Sequence, residues 1–175
     1  MSIIAICVLT NTTIPNLEGT VEFIEKVDTN QVIINVNIKG IPPGYHGFHI
    51  HEAGDLTDNC ISACSHFNPL DKNHGGPLDK ERHVGDLGNI KANHKGIVKQ
   101  TFIDNKIKLK GKNSIIGRSV VIHENPDDLG KGGLDKSHKF IIDEEKHQES
   151  IKTGNAGKRI ACGVIGYSSK MFHHK

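Results

Sequence analysis

The 175-residue chain is long enough for one domain with a single core and too short to require a second. A net charge of +2 and an aromatic set of 6 Phe, 2 Tyr and no Trp supply neither a basic field nor stacking platforms, which argues against nucleic-acid binding. The apolar fraction of 35% is raised toward the globular norm by 19 glycines, so the chain is expected to fold, and 12 histidines put metal chemistry first.

In chain order, short segments with period-two apolar patterning are separated by Gly, Pro and Asn. Residues 2–9 contain the longest apolar run, Ile3 to Leu9. It is too short to span a bilayer and lacks the basic flank and cleavage site of a secretory signal, so a soluble, cytoplasmic protein with no membrane association is expected. Strands are expected at 20–24, at 32–38 with Val32, Ile34, Val36 and Ile38 on one face, and at 47–51. Further strands are expected at 87–92, 97–103, 106–110, 119–123 and 160–167, with no long helix anywhere. Eight or nine such strands give an all-β fold, an antiparallel sandwich or barrel over one domain, 1–175. Two stretches, 52–85 and 124–159, fit no strand pattern, and loops this long in a compact domain are usually functional.

The histidines cluster at these loops. His49 and His51 stand at i and i+2, on one face of a strand and close enough to share an ion. His66, His74, His83 and Asp86 follow across the first loop, and three imidazoles with one carboxylate suit a closed four-coordinate Zn(II) site. His123 ends the strand before the second loop. Seven ligands exceed the need of one ion, so two neighbouring ions are expected, the nitrogen-rich second site suiting Cu(II). His94, His138 and His147 read as ordinary surface or loop residues, as do His173 and His174 in the tail. His46 reads as a loop brace. The four cysteines, Cys7, Cys60, Cys64 and Cys162, are too few for a disulfide scaffold, and Cys60, Cys64 and His66 lack the second pair a zinc finger needs.

The stretches GFHIHE (47–52), HFNP (66–69), HGGP (74–77), ERHVGDLGN (81–89), IIGRSVVIHE (115–124), DDLGKGG (127–133) and TGNAGKRIACGVIG (153–166) closely resemble the copper/zinc superoxide dismutases. The resemblance implies a Greek-key β-sandwich, or flattened eight-stranded antiparallel barrel of immunoglobulin-like kind, with two long functional loops. It implies that His49, His51, His66 and His123 bind copper, that His66, His74, His83 and Asp86 bind zinc, and that His66 bridges the two. Asp127 matches a carboxylate that hydrogen-bonds a histidine of each site. Arg159 matches an arginine holding a small anion beside copper, with Lys152 and Thr153 guiding it. Cys60 and Cys162 match an intrasubunit disulfide. The implied activity is conversion of superoxide to dioxygen and hydrogen peroxide by alternating Cu(II)/Cu(I), in a homodimer that a copper chaperone could load.

Four departures from the family pattern stand out. About thirteen extra residues lie between Gly133 and Thr153, read as a surface excursion or as a channel rim or partner patch centred on Phe140, Ile141 and Ile142. Cys64 is either a spare thiol or a rival disulfide partner for Cys162. Ala53 replaces a large apolar residue of many relatives, implying a weaker dimer. The tail beyond Gly166 carries no readable signature. A zinc-only, non-enzymatic relative would lack a copper ligand or the arginine, a chaperone would add a Cys-x-x-Cys domain, and a hydrolytic zinc site would leave zinc an open position. None of these features is present.

Overall fold

A computed structural model describes residues 2–26 and 28–172. Among them are nine strands: β1 (Ser2–Val8), β2 (Asn11–Thr12), β3 (Glu18–Lys26), β4 (Val32–Lys39), β5 (Gly44–His51), β6 (Asp86–Ala92), β7 (Ile97–Asp104), β8 (Ser119–His123) and β9 (Arg159–Tyr167). Alternation in the sequence becomes alternation in burial. In β4, Val32, Ile34, Val36 and Ile38 face inward, and in β1 Ile3, Ala5 and Cys7 do the same. The strands follow the order β6–β5–β8–β9–β1–β3–β4–β7, every pair antiparallel, while two-residue β2 joins β9 off this path.

The outer strands β6 and β7 are joined by a tight turn at 93–96, where the Asn93 carbonyl accepts from Gly96 N–H and Ile97 O from Asn93 N–H. The sheet thus curls into a nearly closed barrel. The links β4 to β5 and β7 to β8 each cross between the two halves, which is the Greek-key connection expected. Phe23, Ile34, Phe48, Ile50, Ile90 and Ile122 fill the interior. No helix among the described residues is long and apolar enough to cross a membrane.

Three local expectations change. Residues 106–110 are not a strand, although Ile107 and Leu109 are fully buried as their alternation implied. Asp104 Oδ1 accepts from the N–H groups of Lys106 and Ile107, which turns the chain away from the β7 ladder, and the two apolar side chains enter the core from a loop. The second long loop contains a helix, α1 (Glu144–Thr153). Asp143 caps it by accepting from Lys146 N–H, acidic residues occupy its first turn and Lys152 its last, and Gly154 in the left-handed region ends it. Only Ser150 of α1 is buried, so it has no apolar stripe to reveal it. The strand expected from residue 47 starts three residues earlier, and His46, inside β5, is a brace: its ring nitrogens lie 2.9 Å from His123 O and 2.8 Å from Pro42 O.

Outside the main core, Cys60, Ala63, Val121 and Cys162 form a small cluster with Leu56 beneath the first long loop. Cys60 and Cys162 are disulfide-bonded with Cα atoms 5.7 Å apart, while Cys64 is free and exposed and Cys7 free and buried. Cys64 is therefore not the partner of Cys162. The insertion after Gly133 is a short hairpin closed by a Leu134–Ile141 bridge that leads into α1, with Phe140, Ile141 and Ile142 exposed. His94 and His138 are exposed, His147 bonds the Gly132 carbonyl, and His173 and His174 lie outside the described residues.

The disulfide closes a span of 102 residues, for which chain entropy gives a stabilisation of about 4 to 5 kcal/mol as an upper figure. Cys162→Ser is expected to lower unfolding free energy by up to about that amount, read from the urea midpoint of the metal-free protein under non-reducing conditions.

Candidate metal centre

The site lies on the outer face of β5 and β8, under both long loops. Phe48 and Ile50 point into the barrel, so His49 and His51 point away from it. The β5–β8 register sets His49 opposite Val121, which makes His123 its diagonal neighbour, with ring centroids 4.9 Å apart. Gly47, beside them, has no room for a side chain: a Cβ there would sit 2.8 Å from Ala156 Cβ and 3.2 Å from His49. The first loop is stitched back onto β5. Phe67 N–H donates to Ile50 O, Ile50 N–H to Gly85 O and Gly85 N–H to Phe67 O, which carries His66 across from His51 and brings Asp86 to the start of β6.

Two groups of four ligand-capable residues result, His49, His51, His66, His123 and His66, His74, His83, Asp86, each with its candidate atoms within 4.8 Å of one another. His66 belongs to both. In the first group, outer contacts assign the proton on three rings. His51 Nδ1 donates to Cys64 O at 2.8 Å, His123 Nδ1 to Gly157 O at 3.0 Å, and His49 Nε2 to Asp127 Oδ2 at 2.8 Å. The remaining nitrogens carry bare lone pairs. His51 Nε2 and His123 Nε2 face each other at 3.4 Å, and His49 Nδ1 is buried with no partner. Lone pairs do not attract one another, and a soft or borderline cation between these nitrogens satisfies all of them at once.

Burial pushes the four imidazoles below the ordinary histidine range, His49 and His51 far below it and His123 to about 4, so all are neutral ligands at pH 7. In the second group the Nδ1 atoms of His66, His74 and His83 lie 2.9, 2.9 and 3.1 Å from the same oxygen, Asp86 Oδ1. His74 Nδ1 makes no aligned hydrogen bond despite that distance, as a nitrogen aimed at a cation between it and the carboxylate does. The N–H groups of Gly75 and His83 hold the other Asp86 oxygen. Burial opposes ionisation of Asp86, but its three histidine neighbours outweigh it and hold the carboxyl well below the usual range. Three nitrogens and one oxygen suit zinc.

Asp127 ties the groups together, accepting from His49 Nε2 through one oxygen and from His74 Nε2, also at 2.8 Å, through the other. Burial tends to lower the His74 pKa, but the hydrogen bond to Asp127 and the Asp86 carboxylate beside Nδ1 raise it to about 9. The end of α1 presses on this junction. His74 N–H donates to Ile151 O, and a Cβ on Gly154 would stand 2.0 Å from Asp127 Oδ1, so the left-handed cap must be glycine.

A cavity of about 560 Å³ opens over the first group, lined by His51, His66, His123, Lys152, Thr153 and Arg159 among others. Arg159 donates through Nη1 to Cys60 O and Ile61 O and through Nη2 to Cys64 O, so the disulfide loop fixes its guanidinium. The Thr153 hydroxyl donates to Glu149, placing a carboxylate on the same wall.

The seven candidate ligands lie together, Asp127 bonds two of them, and Lys152, Thr153 and Arg159 line the cavity above. The sequence reading assigned no role to Arg82. Its buried guanidinium donates to the carbonyls of His83, Val84 and Asp86 and pairs with Asp104, bracing the loop between two ligands. The visible signal was a cation next to His83, but its partner is 22 residues away.

A family model for copper/zinc superoxide dismutase (SODC) matches residues 17–165. A superoxide dismutase [Cu-Zn] of Paramecium bursaria Chlorella virus 1 is 54% identical over 157 residues, covering 89% of this chain and 76% of the relative. An extracellular superoxide dismutase [Cu-Zn] of Brugia pahangi is 50% identical over 154 residues, 88% and 71% of the two chains. The crystal structure of the clock protein EA4 superposes with a TM-score of 0.82 at 44% identity, covering 94% of each chain.

Because two carboxylates keep His74 protonated up to pH about 9, zinc must displace that proton. Titrating Zn(II) into metal-free protein at pH 7 in weak buffer is expected to release about one proton per zinc from this residue, and apparent affinity is expected to rise with pH until about 9 and then level. An indicator-dye titration checks both.

Proposed function

The chain belongs to the copper/zinc superoxide dismutase family, and we infer from that membership and the geometry above how its own residues serve the activity. The reaction converts superoxide to dioxygen and hydrogen peroxide. Copper would be held by His49, His51, His66 and His123 and would supply the one-electron couple, and zinc, which has no redox chemistry, would be held by His66, His74, His83 and Asp86 and would shape the site. The observation that carries this assignment is the pair of bare Nε2 atoms of His51 and His123, 3.4 Å apart on the floor of a cavity whose wall holds Arg159.

Arg159 binds and orients the incoming anion with a guanidinium that three backbone carbonyls keep from swinging away. Lys152 adds positive charge at the rim, and Glu149 on the same wall offsets part of it. His66 turns Nδ1 to Asp86, which leaves Nε2 for the copper side. That nitrogen is placed to hold and release the proton the reaction needs, while Asp86 and its neighbours keep the ring aimed. Asp127 orients His49 and His74 together.

We extend the proposal to a single domain over 1–175 acting as a homodimer. Val8 and Val164, 52% and 41% exposed, share the outer face of the adjoining strands β1 and β9, an apolar patch beside Gly54 and the small Ala53. The deeply buried copper-side nitrogens favour loading by a copper-donating protein. The free, exposed Cys64 thiol favours a reducing compartment, the cytoplasm, in contrast to the extracellular relative.

Protein purified with one copper and one zinc per chain is expected to remove superoxide, and His123→Ala to abolish this. Arg159→Ala is expected to cost about 10-fold or more at low ionic strength and less at high salt, since the field it contributes is screened. Loaded protein without activity would overturn the catalytic assignment. Sedimentation is expected to give a dimer for the native chain and a monomer for Val164→Glu, which puts a charge into the apolar patch.

A further inference from the structure

A second concavity of about 530 Å³ lies on the far side of Arg159 from the metal cavity, and the two share Gly157 and Arg159. Its wall combines the adjacent cations Lys158 and Arg159 with Thr12, Thr13 and Asn59 and the side chain of Ile61, and no carboxylate lines it. Among the described residues neither cation forms an ion pair: the Lys158 ammonium is exposed, and the Arg159 guanidinium meets only carbonyls. Two cations on a wall that holds no carboxylate give the groove a positive potential of its own. Hydroxyl and amide groups around them can complete the bonding of a multi-oxygen anion. Ile61 is 70% exposed on the same wall, an apolar surface that an anion alone would not use.

We propose that this groove is a binding site for a small organic phosphate, whose dianion sits between Lys158 and Arg159 and whose apolar body covers Ile61. The groove is distinct from the metal cavity in its wall: Lys152 belongs only to the metal cavity, Lys158 and Ile61 only to the groove. The proposal does not depend on the catalytic assignment.

Phenyl phosphate, inorganic phosphate and phenol are the probes, titrated into the diamagnetic copper(I)–zinc protein and followed by calorimetry and two-dimensional NMR. Phenyl phosphate is expected to shift the amides of Thr12, Thr13 and Asn59. Lys158→Ala is expected to weaken its binding about five-fold or more and Lys158→Arg to restore it. Ile61→Ser is expected to weaken phenyl phosphate about three-fold while leaving inorganic phosphate unchanged, and Lys152→Ala to leave both unchanged. Binding that survives Lys158→Ala but is lost in Lys152→Ala would move the anion into the metal cavity and overturn the proposal. So would phenol binding as tightly as phenyl phosphate, or an absence of shifts at the three amides.

Discussion

The structure depends on a set of electron-rich atoms held together without attraction for one another. His49, His51, His66, His74, His83, Asp86 and His123 bring their free nitrogens and oxygens into one buried pocket, and each ring is kept there by what its other atoms touch. The outer partners are the Cys64 carbonyl for His51, the Gly157 carbonyl for His123 and the Asp127 carboxylate for His49 and His74. They come from both long loops: the second holds His74 of the first through Asp127, and both loops hold histidines of the strands. Buried groups of this kind are costly unless something answers them, and the arrangement is stable in proportion to the positive charge it receives.

The ligands were legible in the sequence because strands impose a simple geometry on them. His49 and His51 share a face by strand period alone, and His123 closes a strand whose neighbours are strongly apolar. The barrel was legible for the same reason. What could not be read were features made by bonds between distant residues. Asp104 turns the chain through backbone contacts that alternation at Ile107 and Leu109 does not reveal, and α1 is polar on nearly every side, so caps rather than a stripe mark it. The pairing of Cys60 with Cys162 is implied only by family resemblance, since four cysteines are too few to read as a disulfide scaffold.

The disulfide and the anion-holding arginine are parts of one device. Cys162 and Arg159 stand three residues apart on β9, and Cys60 lies in the segment whose carbonyls receive Arg159. Cys64, in the left-handed region at φ 65°, ends that segment and offers one carbonyl to both His51 and Arg159. The covalent link thereby fixes the guanidinium and a metal-side ring relative to the same peptide group, and a shift of that group would disturb both.

The helix in the second loop separates electrical tuning from folding. Because α1 rests on the protein through its caps, its Ser150 hydroxyl, the His147 ring and backbone carbonyls, most of its other side chains can be exchanged with little effect on the barrel. Among them, Glu149, Lys152 and Thr153 line the metal cavity. A lineage carrying this longer loop can therefore vary the sign and density of charge at the entrance almost freely, adjusting which small ions arrive and how fast, while the apolar interior stays as it is.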